Sequence, residues 1–96
     1  MLKHVVLLKF KKGAYASAIA EMEKGLAGLP GIIPEIMEFQ AGRDVGRSER
    51  SCDFALVAGF ENLEALQRYA VHSAHKKVAA KIMDLCDSVA VVDFES

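Results

Sequence analysis

Residues 2–11, LKHVVLLKFK, alternate between two sets. Leu2, His4, Val6, Leu8 and Phe10 form one, and Lys3, Val5, Leu7, Lys9 and Lys11 form the other. A period of two in a segment rich in valine and leucine predicts a strand. Gly13 interrupts it. From Ala14 the apolar positions are Tyr15, Ile19, Met22, Leu26 and Leu29. Those steps of three and four predict an amphipathic helix, ended by Gly28, Pro30 and Gly31.

A second strand is expected over Ile32–Gly42, with Pro34 near its start, where a missing amide donor is tolerated at a sheet edge. RDVGRSER, residues 43–50, has no apolar period and reads as a loop. Its three arginines beside Asp44 and Glu49 suit either a solvated hairpin loop or a grip on an anionic substrate tail. Cys52–Phe60 is the third strand. Asn62 can cap a helix with Leu63, Leu66, Tyr69 and Ala70 on one face. That period fails near His72 and Ser73, then resumes with His75, Val78, Ala79, Ile82 and Leu85. Ser88–Phe94, SVAVVDF, is the last strand.

The order β-α-β-β-α-β, with its second helix in two pieces, predicts an α+β fold. Its form is a ferredoxin-like antiparallel sheet of four strands, with the helices on one face. The other face should be polar if the chain stands alone. Instead every strand carries apolar residues in both of its sets. Strand two has Ile32 and Ile36 against Ile33, Met37 and Phe39. Strand four has Val92 and Phe94 against Val89 and Val91. An apolar sheet face in water is an association patch, and a second copy on a twofold axis is its simplest cover. A homodimer through the sheet face is therefore expected.

Length and composition narrow the classes. Ninety-six residues suffice for one domain, expected to span 1–96, with one core. With 52% hydrophobic and 26% charged residues the chain is globular. A net charge of −1 gives no general pull toward nucleic acid or anionic membranes. The apolar start is interrupted by Lys3, His4 and Lys9 and is followed by no small-residue cleavage site. No run approaches the roughly 18 apolar residues of a membrane span. A cytoplasmic location is expected, with Cys52 and Cys86, far apart and outside any CxxC spacing, as reduced structural residues.

The candidate chemistry lies around the helix break. His75 is on the apolar side of its helix, and histidine is the side chain whose ordinary pKa suits a proton shuttle. Tyr69, six residues earlier, can donate a hydrogen bond to an enolate oxygen. Together they suit proton removal next to a carbonyl. The competing reading makes both packed polar residues that hold the broken helix through backbone hydrogen bonds. His4 is either a pocket liner or a core histidine bonded to a neighbour. His72 and His75 could join His4 around a metal, but no carboxylate or thiolate is fixed nearby to complete a site, and no metal is expected.

KHVVLLKFK at the start, IIP at 32–34, GRDV at 42–45, FENLEALQRYAVHSAH at 60–75 and DF at 93–94 together resemble the stress-responsive A/B-barrel (Dabb) domains. The resemblance covers almost the whole chain, and Tyr69, His72 and His75, spaced Y-x-x-H-x-x-H, are its most specific part. It implies ferredoxin-like protomers paired through their sheets into a dimeric α/β barrel. On that reading His4, Val6 and Leu8, which share one face of the first strand, line the barrel. The family's best-defined enzyme is a plant polyketide cyclase that closes a ring by aldol condensation without a cofactor. Its catalytic tyrosine and histidine match Tyr69 and His75, and its first-strand pocket histidine matches His4. Two positions depart from the pattern: Ser73 replaces the usual proline, and Leu26 replaces a pocket tyrosine of the cyclase. The resemblance thus implies a cofactor-independent cyclase- or lyase-type site on a small apolar carbonyl compound. Its expected groups are Tyr69 and His75, with His4, His72, Val6 and Leu8 contacting the ligand. A non-catalytic dimer that binds a hydrophobic ligand or protects against stress is the alternative.

Overall fold

The two hydrophobic periods sort the chain into a sheet and a helical layer. The computed structural model describes residues 1–96. The elements are β1 (Leu2–Phe10), α1 (Ala16–Gly28), a 3-10 turn (Leu29–Gly31), β2 (Glu38–Arg43), β3 (Phe54–Phe60), α2 (Leu63–Val71), α3 (Ser73–Leu85) and β4 (Cys86–Glu95). The strands lie in the order β2-β3-β1-β4, all antiparallel, so the ferredoxin-like sheet is as expected.

The strand register decides which residues share a face. His4 lies opposite Ala58 of β3 and Asp93 of β4, while Leu8 lies opposite Phe54 and Val89. Leu2, Val6 and Leu8 therefore share a face with Phe54, Leu56 and Phe60. That face is the one the helices cover. Leu8 is 1% exposed and Phe60 0%, packed in one cluster with Met22 and Leu26 of α1 and Tyr69 of α2. This corrects the expected barrel-lining role of Val6 and Leu8: both belong to the protomer's own core. Alternation separates two sets of side chains but does not say which set meets the helices. The bulkier set on β3 lies under the helical layer, and β1 follows it through the register.

The opposite face is open. Lys3 and Glu38 make an ion pair there, and Leu7, Val57, Val92 and Phe94 are 39%, 37%, 62% and 46% exposed. β2 adds only Glu38, Gln40 and Gly42 to that face. The uncovered apolar surface thus comes from β1, β3 and β4, not from every strand.

The second strand is shorter than its apolar run. After α1 the chain turns through Leu29-Pro30-Gly31, and the amides of Ile32 and Ile33 both donate to the Leu29 carbonyl, at 3.0 and 2.9 Å. Ile33 anchors this connection in the core at 0% exposure, whereas Ile32 and Met37 are exposed. Ladder bonding begins only at Met37, whose amide donates to the Gly59 carbonyl at 2.8 Å. Tyr15, expected in the helical stripe, is instead the exposed residue preceding α1.

The loop after β2 is tied down. Arg43 donates to Glu23, and Arg47, in the left-handed region at φ 47°, reaches both Asp44 and Asp53. Asp53 also accepts the Phe10 amide at 2.7 Å. Two of the loop's three arginines are thus committed to carboxylates. No helix is long and apolar enough to cross a membrane, and both cysteines are free thiols.

Candidate active site

α2 begins under Asn62, whose Oδ1 accepts the Ala65 amide at 2.9 Å, and it ends at Val71. His72 is extended at ψ 136°, and α3 restarts at Ser73. The break re-aims the chain, so that Tyr69 from the end of α2 and His75 from the first turn of α3 meet. Their ring centroids lie 4.3 Å apart. Phe60 backs Tyr69 at 4.9 Å, and His4 of β1 meets the tyrosine edge-on at 6.1 Å.

His4, Tyr69 and His75 line a cavity of about 220 Å³ between α3 and strands β1, β3 and β4. Twelve residues line it, ten of them apolar, and neither lysine nor arginine is among them. Val6, Leu26 and Leu56 form part of its wall. Met83, Val89 and Val91, all substantially exposed, border it toward the β4 edge. A volume at this scale holds several waters or one small molecule. A larger, more open depression of about 620 Å³ lies between α1 and β2. Its one titratable group, Glu23, is already engaged by Arg43. The smaller cavity is the one with chemistry.

The His75 hydrogen bond determines its tautomer. Its Nδ1 lies 3.0 Å from the Ala70 carbonyl oxygen. A carbonyl only accepts, so Nδ1 carries the proton and Nε2 is left with its lone pair. Burial pulls the His75 pKa below its ordinary 6.5, against the Ala70 bond, and His4 and His72 add smaller effects in the same downward direction. The ring is therefore neutral near pH 7. Burial also pushes the Tyr69 hydroxyl up to about 12. That hydroxyl has no partner within the chain and is not fully buried, and Tyr69 is part of the cavity wall. A neutral imidazole acceptor thus stands beside a phenol that keeps its proton.

The family model for the stress-responsive A/B barrel domain matches residues 2–96. The chain belongs to this Dabb family. It is 33% identical over 95 residues to the stress-response A/B barrel domain-containing protein HS1 of Arabidopsis thaliana, a match covering 97% of this chain and 87% of that protein. It is 31% identical over 75 residues to olivetolic acid cyclase of Cannabis sativa, covering 76% and 74% of the two. Among solved structures, a dimeric protein of unknown function and ferredoxin-like fold from Bacteroides fragilis superposes with a TM-score of 0.88. That pair is 25% identical, with 99% of this chain and 95% of the other covered.

In this Dabb chain the expected ligand residues divide. His4 and Val6 line the cavity with Tyr69 and His75, whereas Leu8 and His72 do not. Leu8 lies deeper in the core. His72 is a helix cap, its Nδ1 accepting the Ala74 amide at 3.0 Å. No cluster of three histidine, cysteine or carboxylate groups has the arrangement to hold a metal ion. Asp93 enters the sequence reading only within the DF motif; the strand register, which sets it opposite His4, puts it on the helix side. Its carboxylate bonds Nδ1 of His4, so His4 both lines the cavity and is bonded to a neighbour. The Ala70 carbonyl left no signal at all, because backbone groups have none in a sequence.

Proposed function

We propose that the cavity is the active site of a cofactor-independent enzyme acting on a small, mostly apolar carbonyl compound. His75 is its base and Tyr69 its hydrogen-bond donor. Nε2 of His75 takes a proton from the carbon next to the carbonyl, and the released electron pair moves onto the carbonyl oxygen. The Tyr69 O–H donates to that oxygen as its charge develops. The enolate then attacks a second carbonyl in a cyclase-type reaction; in the reverse, lyase-type direction Nε2 instead takes the hydroxyl proton and the same carbon–carbon bond breaks to give the enolate. His75 returns the proton. One observation carries the reading: the Ala70 carbonyl holds the Nδ1 proton, leaving Nε2 basic beside a tyrosine that has no partner of its own. Opposite pKa shifts favour these separate roles. The similarity to olivetolic acid cyclase supports the reaction class.

The working unit in this proposal is a homodimer, joined through the open apolar face of the sheet. The exposed Leu7, Val57, Val92 and Phe94 support it, as does the dimeric state of the Bacteroides fragilis neighbour. A stable pair buries on the order of 1,600 Å² in total.

The largely apolar cavity wall equally suits a hydrophobic-ligand carrier without turnover, and one assay separates the two. Exchange of the α-protons of a medium-chain methyl ketone is followed by proton NMR in deuterated water. Catalysis predicts exchange above the buffer rate, lowered about 10²–10⁴-fold by His75→Ala, the usual weight of a general base. Exchange at the buffer rate, with the ketone still bound, would establish the carrier.

A further inference from the structure

The two histidines on either side of the break share out one missing helical hydrogen bond. In an unbroken helix the Ala74 amide would donate to the Ala70 carbonyl, four residues back. Here His72 Nδ1 accepts that amide at 3.0 Å, and His75 Nδ1 donates to that carbonyl at 3.0 Å. An amide only donates, so His72 Nδ1 must be bare and its proton sits on Nε2. A carbonyl only accepts, so His75 must carry its proton on Nδ1. The backbone therefore selects opposite tautomers for two neutral rings three residues apart.

We propose that His72 is a positioning residue for His75: by capping the Ala74 amide it keeps the helix open at residue 72 and reserves the Ala70 carbonyl for the His75 ring. The geometry explains the dependence. With His72 extended, α3 starts afresh and its first turn folds back toward the end of α2, five residues closing to one hydrogen bond. In a continuous helix residue 75 would stand about 140° around the axis from residue 70, whose carbonyl would already hold the Ala74 amide. Without the cap, the Ala74 amide has a ready alternative in the Ala70 carbonyl, and taking it restores the continuous helix. His75 would then lose the acceptor that keeps its proton on Nδ1. His72 touches no ligand in this scheme, consistent with its absence from the cavity wall.

The proposal rests on the reading of His75 as the base, but its test needs no substrate. Nitrogen-15 NMR of the imidazole rings is recorded at a pH where both histidines are neutral. In the wild-type chain His75 should show a protonated Nδ1 and a bare Nε2, and His72 the reverse. His72→Ala should convert the His75 signals to a mixture of tautomers. His72→Gly, nearly neutral as a helix cap, covers the case in which the alanine variant is too unstable to study. His72→Asn retains a capping oxygen and should restore the wild-type His75 pattern. A His75 ring unchanged in the alanine variant, or in the glycine variant where the alanine one cannot be studied, would overturn the proposal. So would an asparagine variant that shifts as far as glycine. Because the readout is the ring itself, a failure here is distinct from an absence of ketone exchange.

Discussion

Leu7 and Leu8 are neighbours on β1 that point to opposite faces, and replacing each in turn with aspartate separates folding from assembly. Leu8 is 1% exposed beneath the helices, and Leu7 is 39% exposed on the open face. Leu8→Asp forfeits the burial of a leucine side chain, about 1.5–3 kcal/mol. It also places a carboxylate where no cation is available, which adds several kcal/mol unless the group protonates. Against a total stability of about 5–15 kcal/mol for a domain, that loss removes most or all of the folded state. Leu7→Asp puts its charge into water in the separate protomer and into an apolar layer only on pairing. It should therefore leave the protomer folded, with near-native circular dichroism, while sedimentation at micromolar concentration shows monomer. If Leu8→Asp stays folded and becomes monomeric while Leu7→Asp remains dimeric, the faces are assigned the wrong way round. If Leu7→Asp is as stable and as dimeric as wild type, the open face is not the contact.

Tyr69 links stability to alkaline pH. Its hydroxyl is raised from 10 to about 12 by burial, so between those values the unfolded chain releases a proton that the folded chain keeps. Stability must fall as pH rises through that window, by at most about 2–3 kcal/mol. Tyr69→Phe should flatten this component of the denaturant midpoint against pH, and an unchanged slope would refute the assignment. His75 has the opposite sign: its folded pKa is lowered, so its share of stability is present above the ordinary 6.5 and is lost as pH falls toward the folded value. The acid limb of ketone exchange should accordingly lie below 6.5, and a limb above it would contradict a desolvated base. Asn62→Ala removes the cap from α2 and should cost about 1 kcal/mol, a drop of roughly 4–8 °C in Tm. A Tm within error of wild type would show that the cap contributes little.

Element type and order were legible in the sequence because each element announces its own period. β1 and β3 alternate, α3 repeats every three or four residues, and Asn62 marks the start of α2. The break at His72 was legible as well, since the apolar stripe loses its step there. The apolar run at Ile32–Met37 misled because burial of one residue, Ile33, needs no strand around it. Only the backbone bonds to Leu29 distinguish a turn from a ladder there.

The sequence by itself determined the α+β class, the apolar excess that calls for a second sheet surface, and the histidine and tyrosine on either side of the break. These are properties of composition and local period, which the chain carries at every residue. Tertiary structure alone decided that Val6 and Leu8 face the helices, since both β1 faces are apolar and only strand register and bulk on β3 distinguish them. It alone paired Asp93 with His4 across 89 residues. It alone gave the Ala70 carbonyl to His75 and the Ala74 amide to His72. Which nitrogen of His75 is basic depends on a backbone oxygen, and backbone atoms are the same in every residue until folding gives each one a neighbour.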